Sequence, residues 1–242
     1  MKTAGNFQML AAKEVDFMIH GLIRFELFGQ ELWITTTHVS LLVIMLILFI
    51  FALAVRKRMK TPQEFPTGFQ NAVEMMVEML DHMTENSMGW YAPKFVNYIS
   101  CIFLFIFVSN LSGLFGIRPP TADYGVTLPL GLLTFMIIQY NNIKYNKTKA
   151  FTGLFQPLPF LFPINLIGEL SVPFSLSLRL FGNVLSGTVM MALIYSLLSP
   201  FAVAWPGFLH IYFDIFSGMI QTYVFCMLTM VFISDKLPQR PT

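Results

Sequence analysis

The sequence predicts an all-α, polytopic membrane protein with about five membrane-embedded helices. The last two form a long, steeply tilted hairpin, and one amphipathic helix lies on the cytoplasmic interface. Three observations carry that prediction. Of 242 residues, 55% are hydrophobic and 12% charged, far less charge than the roughly one quarter found in soluble domains. Uncharged runs long enough to cross a hydrocarbon core of about 30 Å recur along the chain. Basic residues crowd at alternate ends of those runs. The net charge of +2 is too small to argue for nucleic acid. Neither Cys101 nor Cys226 fits a disulfide or metal-ligand spacing, so no cofactor and no metal site is expected.

A single membrane domain over residues 1–242 is expected, without internal repeat or linker. In the external N-terminal segment, 1–36, Lys13, Glu14 and Asp16 interrupt any cleavable apolar leader. The first span is 37–55, THVSLLVIMLILFIFALAV. It is followed at once by RKRMK, the kind of cluster that holds a loop in the cytoplasm and leaves the N-terminus outside. The interfacial helix, 65–86, places Phe69, Val73, Met76, Val77, Leu80 and Met83 on one face, with Glu74, Glu78, Asp81 and Glu85 largely elsewhere. Its acidic polar side suits packing on protein at least as well as on lipid headgroups.

The second and third spans fill 95–140, separated by the breaker-rich loop IRPPTADYG. In this topology ten of the 15 basic residues are cytoplasmic. Four (Lys2, Lys13, Arg24 and Arg118) are external, and Arg179 is inside the membrane. The hairpin, 160–235, begins with a run from Pro163 to Ser199 that has no strong stop. As one helix it would be about 54 Å long, nearly twice the hydrocarbon thickness, so it must tilt, bend or break. Pro173 supplies a possible bend. The second arm, from Trp205 to Ser234, ends at DKLPQR, which puts the C-terminus in the cytoplasm.

Within the first arm, Gly168, Ser171, Ser175, Arg179, Gly182 and Ser186 share one helical face, with Asn183 beside them. Small residues alone would signify only close helix packing. An arginine near mid-membrane costs about 2.5–3.5 kcal/mol on insertion scales and as a rule faces protein, water or a counter-charge. No acid lies within nine positions of Arg179. A guanidinium does not release its proton at any relevant pH, so Arg179 is suited to act as a barrier to cations and unsuited to relay protons. Its counter-ion is expected on another chain.

On the second arm His210, Asp214, Ser217, Gly218 and Gln221 share one side at α-helical spacing. Asp214, the lone acid of its helix, is able to exchange a proton. His210 reads as a headgroup residue or a relay, and Gln221 as an interhelical hydrogen bond or a channel lining. Glu169 is nearly three turns from Arg179 and is expected at the cytoplasmic start of its helix, open to water. Acids near both sides with a permanent cation between them is the resulting arrangement.

PINLIGELSVPFSLSLRLFGN followed by IQTYVFCMLTMVFIS, together with SNLSGLFG and PPTADYGVTLPLGL, resembles the subunit a family of bacterial F-type ATP synthases. The resemblance implies an ion-translocating stator, not an enzyme by itself, in the bacterial plasma membrane. Its partners would be a c-subunit ring, the b-subunit peripheral stalk, other subunits of the synthase and membrane lipid. Arg179 would separate two offset half-channels that load and unload ring carboxylates, and Asn183 and Gln221 would line the region beside it. Many relatives carry a glutamate nine residues after the arginine, where this chain has Thr188. They carry a histidine or another group where it has Asp214, and often a basic residue where it has Val172. Asp214 is therefore the candidate for an acid moved to the other helix. Two other readings compete: a stand-alone transporter or channel using Arg179 to bind an anionic substrate, and an intramembrane enzyme built on His210 and Asp214. The enzyme is disfavoured because HExxH, GxSxG and glycine-rich nucleotide loops are missing from the sequence.

Overall fold

The computed structural model describes residues 21–27, 30–60, 68–115, 117–147, 152, 155, 159–197, 209 and 211–238. Five helical stretches among them are long and apolar enough to cross a membrane: Thr36–Arg58, Phe69–Phe115, Tyr124–Asn146, Phe162–Ile194 and Ile211–Ser234. The helical membrane architecture expected from composition is therefore present.

A short element that the sequence reading did not anticipate precedes the helices. Strands β1 (Gly21–Leu27) and β2 (Gln30–Thr35) pair antiparallel, with Leu27 opposite Gln30 and Arg24 opposite Trp33. Its aromatic and β-branched residues favour strand. β2 leads directly into helix α1 (Thr36–Arg58), where the Thr35 hydroxyl lies 2.7 Å from His38 Nδ1. Arg56, Lys57 and Arg58 close the last turn of α1, where cations oppose the negative end of the helix dipole. Of its described residues only Thr37, Ser40 and Ile44 are buried.

Helix α2 (Phe69–Met88) is the amphipathic segment. Val73, Leu80, Thr84 and Met88 are buried, while Phe69 and Val77, assigned to the apolar face from spacing, are exposed. The buried line therefore runs along 73, 80, 84 and 88, a slightly rotated version of the expected face. Gly89, at φ +52°, ends α2 in a backbone conformation that only glycine adopts easily. A single 3₁₀ turn (Gly89–Tyr91) then starts helix α3 (Ala92–Leu111).

Helix α4 (Tyr124–Asn146) begins where the Asp123 carboxylate accepts a hydrogen bond from the Gly125 amide at 2.9 Å. Helix α5 (Phe162–Leu197) has 36 residues and continues unbroken through Pro173. At about 1.5 Å per residue it is roughly 54 Å long. Of the three ways to accommodate that length, a break is excluded. A π-helix (Ile211–Ser217) then runs into helix α6 (Gly218–Ser234).

The core lies between α3 and its neighbours. Ile99, Ile102, Phe103 and Ile106 pack with Leu80 and Met88 of α2, Ile138 of α4, Leu176 and Leu180 of α5, and Phe225, Met230 and Ile233 of α6. Lipid tails are as apolar as these side chains, so close approach and hydrogen bonds must add to the association. The Tyr98 and Thr134 hydroxyls, 2.9 Å apart, join α3 to α4. Gly131 lets α4 touch α5: a Cβ there would lie 2.7 Å from the Pro173 carbonyl oxygen. Gly131→Ala is expected to lower the unfolding midpoint of the detergent-solubilised chain, by about 1–3 kcal/mol of overpacking. Gly168→Ala, where a Cβ meets nothing within 4 Å, should leave that midpoint unchanged.

Candidate functional site

Helix α5 has two unlike faces. Pro173, Leu176, Ser177 and Leu180 are buried against the rest of the chain. Gly168, Ser171, Ser175, Arg179 and Ser186 are exposed, and Gly182 and Asn183 are half-buried. A Cβ added at Gly168 or Gly182 would meet nothing within 4 Å. The Ser171 hydroxyl donates to the Gly168 carbonyl (2.7 Å) and Ser186 to Gly182 (2.6 Å). These hydroxyls serve their own helix, leaving a shallow strip from which one guanidinium projects. Among the described residues no hydrogen bond or ion pair reaches Arg179.

The described residues of the second arm meet α5 beside this strip and make no contact across it. Ser217 Oγ donates to Asn183 Oδ1 at 3.2 Å, and Gly187 lies against Phe213, 3.8 Å from where a Cβ would stand. These contacts fix an antiparallel register between the arms. One further turn along each helix brings Arg179 to the level of Gln221. Gln221 is 7% exposed, and its buried Nε2 has no hydrogen-bond partner among the described residues. An unsatisfied buried amide costs about 1–3 kcal/mol.

The polar face read from spacing on the second arm divides in the structure. Ser217 turns toward α5, whereas the Asp214 carboxylate points to the other side, with Oδ1 3.2 Å from the Cβ position of Gly113. Gly218 packs on Asn110, whose Cβ would be 2.9 Å from a Cβ added there. The cause is the π-helical turn over Ile211–Ser217: its i→i+5 bonds widen the helix, so positions in α-helical phase no longer align. Asp214 is half-buried, and His210 lies outside the described residues. Thr188 is half-buried and its hydroxyl donates to the Leu185 carbonyl at 2.8 Å.

Asn110 was not singled out from the sequence. It is buried at the end of α3, where Nδ2 donates to the Gly218 carbonyl (3.1 Å) and to Thr222 Oγ1 (3.4 Å). Its Oδ1 accepts from Thr121 Oγ1 at 3.1 Å. One side chain thus joins α3, the turn Pro120–Ala122 and α6 beside Asp214. The sequence signal was polar SNLSG closing an apolar run.

Glu169, whose side chain is 25% exposed, is in addition paired within the chain. Lys236 Nζ donates to its Oε1 and Gln139 Nε2 to its Oε2, both at 2.6 Å. Asn146 Nδ2 donates to the Lys236 carbonyl at 3.0 Å. The acid is therefore the centre of a clasp joining α4, α5 and the segment after α6. Ten residues of helix, about 15 Å, separate it from Arg179.

Residues 38–234 match the family model described as ATP synthase A chain. The chain is 35% identical over 223 residues to the sodium ion specific ATP synthase subunit a of Propionigenium modestum, covering 84% of this chain and 74% of that one. It is 34% identical to ATP synthase subunit a of Priestia megaterium over 188 residues, covering 71% and 80% of the two chains. Identity to that of Staphylococcus carnosus is 32% over 239 residues, covering 89% and 96%.

Proposed function

The chain belongs to the ATP synthase A chain family, and from that premise we propose that Arg179 separates two offset half-channels through which ions load and unload the carboxylates of a c-subunit ring. The protein is a multi-pass membrane component of the synthase with an ion-translocating role. The observation that carries the finer reading is the uncovered arginine strip. A permanent cation on a smooth, open helix face suits a neighbouring helix that moves across it carrying its own acid.

In this reading an ion enters from the outer side past Asp214 and the Asn110 cluster and neutralises a ring carboxylate. The neutral carboxyl then travels through lipid, where a charged one would be costly. After nearly a full turn it reaches the strip from the other side. There Arg179 favours the ionised form, and the released ion leaves toward the Glu169 end. The guanidinium repels cations that would leak directly between the half-channels. Half-buried Asn183, beside Arg179, offers a hydrogen bond to the passing carboxylate, whereas the Gln221 amide, buried level with Arg179, reaches it only by turning outward. Each unit charge crossing contributes about 2.3 kcal/mol per 100 mV, so several must be combined for one ATP, whose chemistry takes place on other subunits.

The orientation proposed is N-terminus outside and C-terminus in the cytoplasm of a bacterial plasma membrane, supported by the basic residues gathered at one end of the helices. The b-subunit peripheral stalk is the expected fixed partner. The stand-alone transporter has no support among the relatives. Reconstituted alone in liposomes under an imposed potential, the chain is expected to pass neither protons nor sodium. Reconstituted with the ring, it is expected to pass one of them. Flux from the chain alone would revive the transporter reading.

A further inference from the structure

At the membrane end where α3 starts and α4 finishes, two lysines from different helices converge on one aromatic ring. Lys94 Nζ donates to the Tyr145 hydroxyl at 3.2 Å and lies 5.8 Å from that ring's centre. Lys144 Nζ lies 5.8 Å from the same centre, so the two charges are no farther apart than twice that distance. Lys94 also sits 5.3 Å over Tyr91, Lys144 sits 5.6 Å over Tyr140, and Tyr91 and Tyr145 meet edge to face at 6.0 Å. Both lysines are exposed, and among the described residues neither is paired with a carboxylate. Nearby, Trp90 is 73% exposed.

Below these charges runs an exposed apolar stripe on α4: Leu133, Met136, Tyr140 and Ile143, spaced by three, four and three residues. A cationic, aromatic head above an apolar track has the shape of an amphiphile, and a free anion would make no use of the track. Basic sites between membrane helices at an interface recognise anionic headgroups. Trp and Tyr settle at the same depth.

The geometry points to a binding site for an anionic glycerophospholipid, its phosphate held between Lys94 and Lys144 and its acyl chain lying along the stripe of α4. The site is separate from the ion path and does not depend on Arg179. It would tie the α3–α4 pair to the charged leaflet of the surrounding membrane.

Trp90 makes the test direct. Full chain carrying Trp33→Phe and Trp205→Phe is reconstituted in phosphatidylcholine vesicles. Its fluorescence is then titrated with dibrominated phosphatidylglycerol or dibrominated phosphatidylcholine. The anionic lipid is expected to quench at a lower mole fraction, by about fivefold for each lysine engaged. Lys94→Gln with Lys144→Gln should equalise the two lipids while leaving quenching by phosphatidylcholine unchanged. Lys94→Arg with Lys144→Arg should retain the preference. Equal quenching in the parent chain, or a preference that survives the double glutamine change, would overturn the assignment. Loss of the preference on adding millimolar inorganic phosphate would also overturn it, in favour of a free-anion site.

Discussion

Arg179→Ala is expected to abolish ion-driven ATP synthesis, a loss of at least about a hundredfold, while the assembled complex is still recovered from the membrane. Assembly survives because the side chain is exposed and has no partner among the described residues, so its removal opens no cavity and strands no buried charge. Coupling fails for two reasons. Without the cation nothing at the strip favours ionisation of a carboxyl arriving from lipid, and nothing repels cations that slip between the half-channels. The variant membrane should therefore leak ions passively while making no ATP. Arg179→Lys is informative beside it: an ammonium is charged in water but loses its proton readily when desolvated. It should preserve a small fraction of coupling at best. ATP synthesis by the alanine variant at near parental rates would contradict the role given to the guanidinium.

Asp214→Asn is the second large effect, expected to slow ion-driven synthesis by about tenfold or more, less than the roughly hundredfold or greater contribution of a proton-transfer group at a catalytic centre. The change is nearly isosteric, so the contact with Gly113 is kept. What disappears is the only carboxylate among the described residues of the second arm, Ile211–Ser234. The loss should ease when the ion concentration on the entry side is raised, because entry and not release is impaired. An unchanged rate would remove Asp214 from the path, leaving the acid absent at Thr188 without a replacement.

The spans and the arginine strip were legible from residues alone, because hydropathy and helical period are local properties. Gly168, Ser175, Arg179 and Ser186 share an exposed face as the 100° spacing requires. What spacing missed depends on partners distant in sequence. Lys236 looked like part of a basic tail, yet it closes on Glu169 67 residues earlier. Asn110 looked like the end of a span, yet it bonds α6 across 108 residues. The second arm misled for a local reason. His210 to Gln221 was read at one α-helical period, whereas the π-turn at Ile211–Ser217 sends Asp214 and Ser217 to different neighbours. The β1–β2 pairing went unnoticed beside a strongly apolar first span.

The central claim is that a ring helix bearing a carboxylate passes over the open face of α5. A photo-activated cross-linker placed at Ser175, one turn from Arg179 on that face, reports what lies there in the assembled membrane complex. The account predicts an adduct with the c subunit, at residues near its membrane carboxylate. Adducts only with lipid or with another segment of the same chain would contradict it.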